Sequence, residues 1–121
     1  MQDNRVFITS DQIIEIQVVG DQTIDSIHSM GQAVQRLSKK QRAKGLPVLI
    51  IDNVLRIGTV TPEARKQVAE WGKMLDFDKL AMVGSGSILR LGAHLMLRAV
   101  DKRDQLKYFE SYQTAADWLQ T

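Results

Sequence analysis

"VLIIDNVLRIGTVTPEARKQV", residues 48–68, decides the fold class. With Pro47 before it, the stretch opens on an apolar run of strand length, the pattern of a central strand covered on both faces. It closes on a helix, because Thr61-Pro62 places a capping hydroxyl before a proline at the first helical position. Ala64, Val68, Trp71 and Leu75 then recur as an inward stripe. The segment between, "DNVLRIGTVT" (52–61), reads as a linker that leaves the strand at Asp52 and carries Arg56, Thr59 and Thr61. A buried strand feeding a helix is the unit of an α/β sheet.

The flanks extend that unit in both directions. Upstream, "RVFITSDQIIEIQVVGD" (5–21) reads as a hairpin, with strands over 5–9 and 13–19 and turn chemistry at Ser10-Asp11. Ile14, Ile16 and Val18 share one face of the second strand, and Glu15 and Gln17 the other. "QTIDSIHSMGQAVQRLSKKQRAKG" (22–45) changes to helical spacing, through Ile24, Ile27, Met30 or Gly31, Val34 and Leu37. Thr23 caps that helix, its basic end carries Lys39, Lys40, Arg42 and Lys44, and Gly45 stops it.

Downstream, "KLAMVGS" (79–85) is a second buried strand and "SILRLGAHLMLRAV" (87–100) a third helix. "LKYFES" (106–111) is a last short strand, and Ser111 caps a closing helix with Ala115, Ala116, Trp118 and Leu119. The expected order is β-β-α-β-α-β-α-β-α. This is an α/β single domain over residues 1–121, an N-terminal β-hairpin followed by alternating strands and helices. It implies a mixed sheet of about five strands with about four helices and right-handed crossovers.

Composition narrows the function classes. The 121 residues are 44% hydrophobic and 25% charged, ordinary values for a soluble globular chain. No cysteine is present, so disulfides and thiolate metal sites are excluded. Neither a signal-peptide core nor a transmembrane run occurs, which gives a cytoplasmic, bacterial-type expectation. Sixteen Lys and Arg against 14 Asp and Glu leave a net charge of +2, too little to argue for nucleic acid. The basic cluster at Lys39–Lys44 is accounted for by its helix C-terminus, so no nucleic-acid partner is expected.

Catalysis has little to stand on. The two histidines, His28 and His94, fall on different helices, and neither has carboxylates at metal-ligand spacing. The expectation is no enzyme, no catalytic residue, no metal and no cofactor. The turn Gly84, Ser85, Gly86, Ser87 joins a buried strand to a helix, where free N–H groups offer an anion site. It lacks P-loop and GxGxxG spacing, and a tight turn with a serine cap explains the same residues. On the third helix Arg90, His94 and Arg98 form a basic seam, continued by Lys102, inside a wide apolar arc. Such a face suits a protein partner, a second copy of the chain as a homodimer, or an anionic membrane surface. A helix buried on two sides with snorkelling arginines is the alternative.

Taken together, "LPVLIIDNV", "DKLAMVGSGSILRLGAHLM" and the tail "LKYFESYQTAADWLQ" give the chain a close likeness along nearly its whole length. It resembles the SpoIIAA-like proteins of the STAS superfamily, named after a bacterial anti-sigma-factor antagonist. The resemblance implies a non-enzymatic regulatory protein-interaction module, with a regulator or the chain itself as partner. In those antagonists a strand-ending Asp leads to a serine at a helix N-terminus, which a partner kinase phosphorylates. The matching positions here are Asp52 and Thr61, with Arg56, Thr59 and Arg65 beside them as switch or interaction residues. The family's Asp-Ser-Ser-Gly signature is replaced by "VTPE". Some SpoIIAA-like sequences are also grouped with lipid carriers, which implies the alternative of a small-molecule or lipid-binding domain. In that case the apolar helix 88–100 covers a cavity and Gly84–Ser87 holds an anionic head group.

Overall fold

The computed structural model describes residues 3–87, 90 and 103–121. Strands β1 (Arg5–Ile8) and β2 (Ile14–Gln22) form the expected hairpin, antiparallel with Val6 opposite Ile16. Its turn is held by the Thr9 amide donating to the Ile13 carbonyl at 2.8 Å, and Gln12 takes a left-handed φ of 64°. There follow α1 (Ile24–Ala43), β3 (Leu49–Val60), α2 (Pro62–Met74) and β4 (Lys79–Val83). A 3-10 turn at Arg103–Gln105, β5 (Leu106–Phe109) and α3 (Tyr112–Leu119) complete the described elements. The strands lie in the order β1-β2-β3-β4-β5, with β2 to β5 parallel and β1 the antiparallel edge.

Local chemistry sets the helix ends. Thr23 and Ser26 form a reciprocal capping box at α1, Thr61 accepts from the Ala64 amide at α2, and Ser111 accepts from the Thr114 amide at α3. At the other end of α1, Gly45 takes φ +73°, which costs glycine nothing. The stripe of α1 begins one turn later than its periodicity predicts. Ile27, Met30, Gly31 and Val34 are buried, but Ile24 is 46% exposed in the first turn.

The sheet separates two cores. Ile14, Ile16, Val18, Ile50, Val54, Leu80 and Met82 face α1 and α2, whereas Ile51, Ala81 and Val83 face α3. The alternation predicted for β2 holds, and the polar face is covered too. Glu15 is buried, accepting from the Gln17 side chain at 2.7 Å and from the Tyr112 hydroxyl of α3.

The main departure lies in residues 53–60. They are not a linker: β3 runs on to Val60, paired with β2 through Gln22–Val60. The pairing slips between Gln17 and Val19 and between Gly20 and Gln22, each time with one extra residue on β3, which bulges twice as it follows β2 beyond β4, whose pairing ends at Asn53. Asp52 is therefore mid-strand, not strand-ending. Three α-helices are described, and the third expected helix, 87–100, lies outside the described residues except for Ser87 and Arg90. No described helix is long and apolar enough to cross a membrane.

Candidate functional site

Between the sheet and the α1–α2 layer lies a cavity of about 310 Å³. Its floor is Ile16 and Val18 of β2, Asp52 and Val54 of β3, and Leu80 and Met82 of β4. Ile27, Met30, Gly31 and Val34 of α1 roof it together with Val68 and Trp71 of α2 and Leu75, the C-cap of that helix. Ile57, Gly58, Thr59, Val60 and Arg65 complete the wall, and of these Thr59 and Arg65 are exposed and mark its rim.

The sequence builds this space locally. The α2 stripe Val68, Trp71, Leu75 turns toward the sheet as its spacing predicts. Trp71 is 7% exposed and lies against Gly31, where a Cβ would fall within the indole ring. Glycine at residue 31 thus lets α1 and α2 approach with a large aromatic between them. The indole also meets the exposed ring of His28, with centroids 5.8 Å apart.

Among the described residues, Asp52 is the one carboxylate in the wall. In register with it lie Ile16 on β2 and Met82 on β4, and beyond Met82 comes Tyr108 on β5. A carboxyl thus sits between Ile16 and Met82 in a cross-strand row that ends on Tyr108, whose buried hydroxyl also lacks a partner. Its Oδ1 is enclosed and has no hydrogen-bond partner. Some surface remains on the residue, and that surface faces the cavity it lines. Burial without a compensating donor pushes the carboxyl up to about 7, so the neutral acid is well populated near neutrality.

The strand extension fixes the rim. The Thr59 amide donates to Asp21 Oδ1 at 2.8 Å, and that backbone bond, with one from the Thr59 side chain, holds the Asp21 carboxyl below its usual range. Thr61 is exposed, but its hydroxyl is engaged by the Ala64 amide at 3.2 Å. Of the residues predicted around the opening stretch, Asp52, Thr59 and Arg65 meet at the cavity. Arg56 does not: it is exposed on β3 opposite Val19. The linker reading placed Arg56, Thr59 and Thr61 on one loop between Asp52 and the helix of Arg65; instead Asp52, Arg56 and Thr59 lie along β3, Thr61 caps α2 and Arg65 lies in its first turns.

The second predicted set fares differently. Gly84 is buried, and its amide donates to the Phe109 carbonyl at 3.1 Å, which removes it from an anion cradle. Ser85, Gly86, Ser87 and Arg90 are exposed. His94, Arg98 and Lys102 lie outside the described residues. Among the described residues no group of three His, Asp or Glu is placed to hold a metal ion.

Comparison with solved structures decides the fold. An uncharacterised protein of the DUF3478 family from Shewanella loihica PV-4, solved with a SpoIIAA-like fold, matches at a TM-score of 0.68, covering 96% of this chain and 91% of that one. The fold is SpoIIAA-like. Identity between the two chains is 17%, so the likeness is one of architecture. No protein-family model matches the sequence, and no curated protein matches it. On this SpoIIAA-like frame the cavity occupies the space between the central strands and the first two helices.

The cavity escaped the sequence reading, which placed its ligand alternative at residues 84–100. Asp52 alone carried a usable signal: a carboxylate inside an apolar strand run, if the strand continues past it, must face a core or a cavity.

Proposed function

We propose that this protein is a non-catalytic binding module whose ligand is a small, mainly apolar molecule held between the sheet and the α1–α2 layer. The observation that carries this is the cavity itself. Protein interiors pack to crystal density, with few voids larger than a water. A space of about 310 Å³ falls at the lower end of small-ligand sites. It opens to solvent at the rim of Thr59 and Arg65, which gives a ligand a way in. Apolar walls with few polar groups fit a ligand better than a water cluster. The non-catalytic reading is supported by the site's chemistry, since a single carboxyl lies inside with no second acid, base or nucleophile beside it among the described residues.

Calorimetric titration with 2-methylnaphthalene tests the reading. Saturable one-to-one binding is expected, abolished by Val68→Phe, which fills the space from α2. Absence of saturable binding, or equal binding by the filled variant, would overturn it.

A SpoIIAA-like fold is also compatible with a regulatory interaction module, and one surface feature favours that second reading. Leu55 is 47% exposed beside Arg56, on the part of β3 that extends past β4. Loss of a captured protein partner on Leu55→Asp, with the fold intact, would support it. Unchanged capture would count against this surface.

A further inference from the structure

Resting on the cavity reading, we propose that Asp52 is a specificity-determining residue, selecting a ligand whose buried end carries a hydroxyl group.

The argument starts from what the carboxyl lacks. Asp52 stands between Ile16 and Met82 on the floor, and its Oδ1 is enclosed without a donor. Among the described residues that line the space, Arg65 is the one other ionisable side chain, and it lies at the exposed rim. A core position facing only apolar neighbours is filled more favourably by Leu or Val than by an unpaired carboxyl. The carboxyl gains a role when a ligand brings the missing partner.

Three ligand chemistries compete for that position. A hydrocarbon leaves Asp52 unpaired and removes whatever water reached it, so it forfeits the hydrogen bond outright. An ammonium gives the carboxylate a counter-charge, but it must lose its own hydration inside apolar walls, and an ion pair so buried scarcely repays that loss. The Arg65 guanidinium at the rim also opposes entry of a cation. A hydroxyl meets neither penalty. It donates to the carboxylate or accepts from the neutral acid, so it pairs with either form of Asp52. At roughly 30 Å³ per water-sized group, the space holds about ten heavy atoms, a bicyclic or medium-chain alcohol rather than a long lipid.

The test is calorimetric titration of the wild type, Asp52→Leu and Asp52→Asn with three probes of similar size: 2-naphthol, 2-methylnaphthalene and (2-naphthyl)methylammonium. The wild type should bind 2-naphthol roughly tenfold more tightly than 2-methylnaphthalene, the worth of one hydrogen bond. Asp52→Leu should lose or reverse that preference, and Asp52→Asn, which keeps a donor and an acceptor, should retain most of it. Equal affinity of the wild type for 2-naphthol and 2-methylnaphthalene overturns the hydroxyl proposal and leaves the cavity reading standing. Tightest binding of the ammonium probe overturns it in favour of a cation site. Failure of all three probes to saturate the wild type overturns the cavity reading together with the proposal.

Discussion

Replacing Asp52 by Asn should remove a specific pH dependence from the folding stability. The carboxyl rises from the ordinary value of 3.8 to about 7 because burial disfavours its charge. Between roughly pH 4 and pH 7 the folded chain therefore holds a proton at Asp52 that the unfolded chain has released. Stability falls as pH rises through that window and levels off above it. A shift of this size corresponds to about 4 kcal/mol. Asparagine keeps the shape and cannot ionise. The variant should match the wild type near pH 4 and be the more stable by up to about 4 kcal/mol at pH 8. Urea unfolding at both pH values reads this directly, as a gain of about 2 M in midpoint at pH 8 for a slope near 2 kcal/mol/M. The contributions of Asp21 and Asp78, whose carboxyls are held below their usual range, run the other way with pH but are common to both proteins and cancel in the difference. A wild-type-minus-variant difference that stays constant from pH 4 to pH 8 would refute the reasoning.

Gly31→Ala should destabilise by about 1–3 kcal/mol and shift the Trp71 fluorescence, because the added methyl overlaps the indole ring; an unchanged thermal midpoint and spectrum would show that α1 and α2 are not packed this closely. Thr61→Ala should lose about 1 kcal/mol through the missing cap of α2, whereas Thr61→Asp, itself a good cap beside a helix N-terminus, should stay within a few tenths of wild type in urea unfolding. Gly58→Val should loosen the end of β3, since its Cβ would meet the Asp21 carboxylate that anchors the Thr59 amide; faster amide exchange at Thr59 is the readout.

What the sequence disclosed follows the range of the interactions involved. The three N-caps rest on contacts spanning three residues, and Thr23, Thr61 and Ser111 were each readable from their immediate neighbours. The hairpin and the inward stripe of α2 were equally legible, because period-two and period-3.6 patterns are properties of single elements. Residues 53–60 were not. Asn53 and Gly58 carry turn chemistry, and only pairing with β2, more than thirty residues earlier, makes a strand of them. Val54, Ile57, Thr59 and Val60 held the weaker counter-signal, a β-branched bias. The cavity was out of reach for a different reason. It is a volume that side chains from β2, β3, β4, α1 and α2 jointly fail to fill, and no one of those segments looks deficient in apolar bulk.

The central claim, that the space between the sheet and the first two helices is a ligand site, is tested most directly by methyl NMR during titration with 2-methylnaphthalene. Saturable shifts should concentrate on Val18, Ile27, Val34, Val54 and Val68, which surround the space from four elements. Shifts confined to exposed residues such as Leu55 and Met74, with those five methyl groups unmoved, would contradict it.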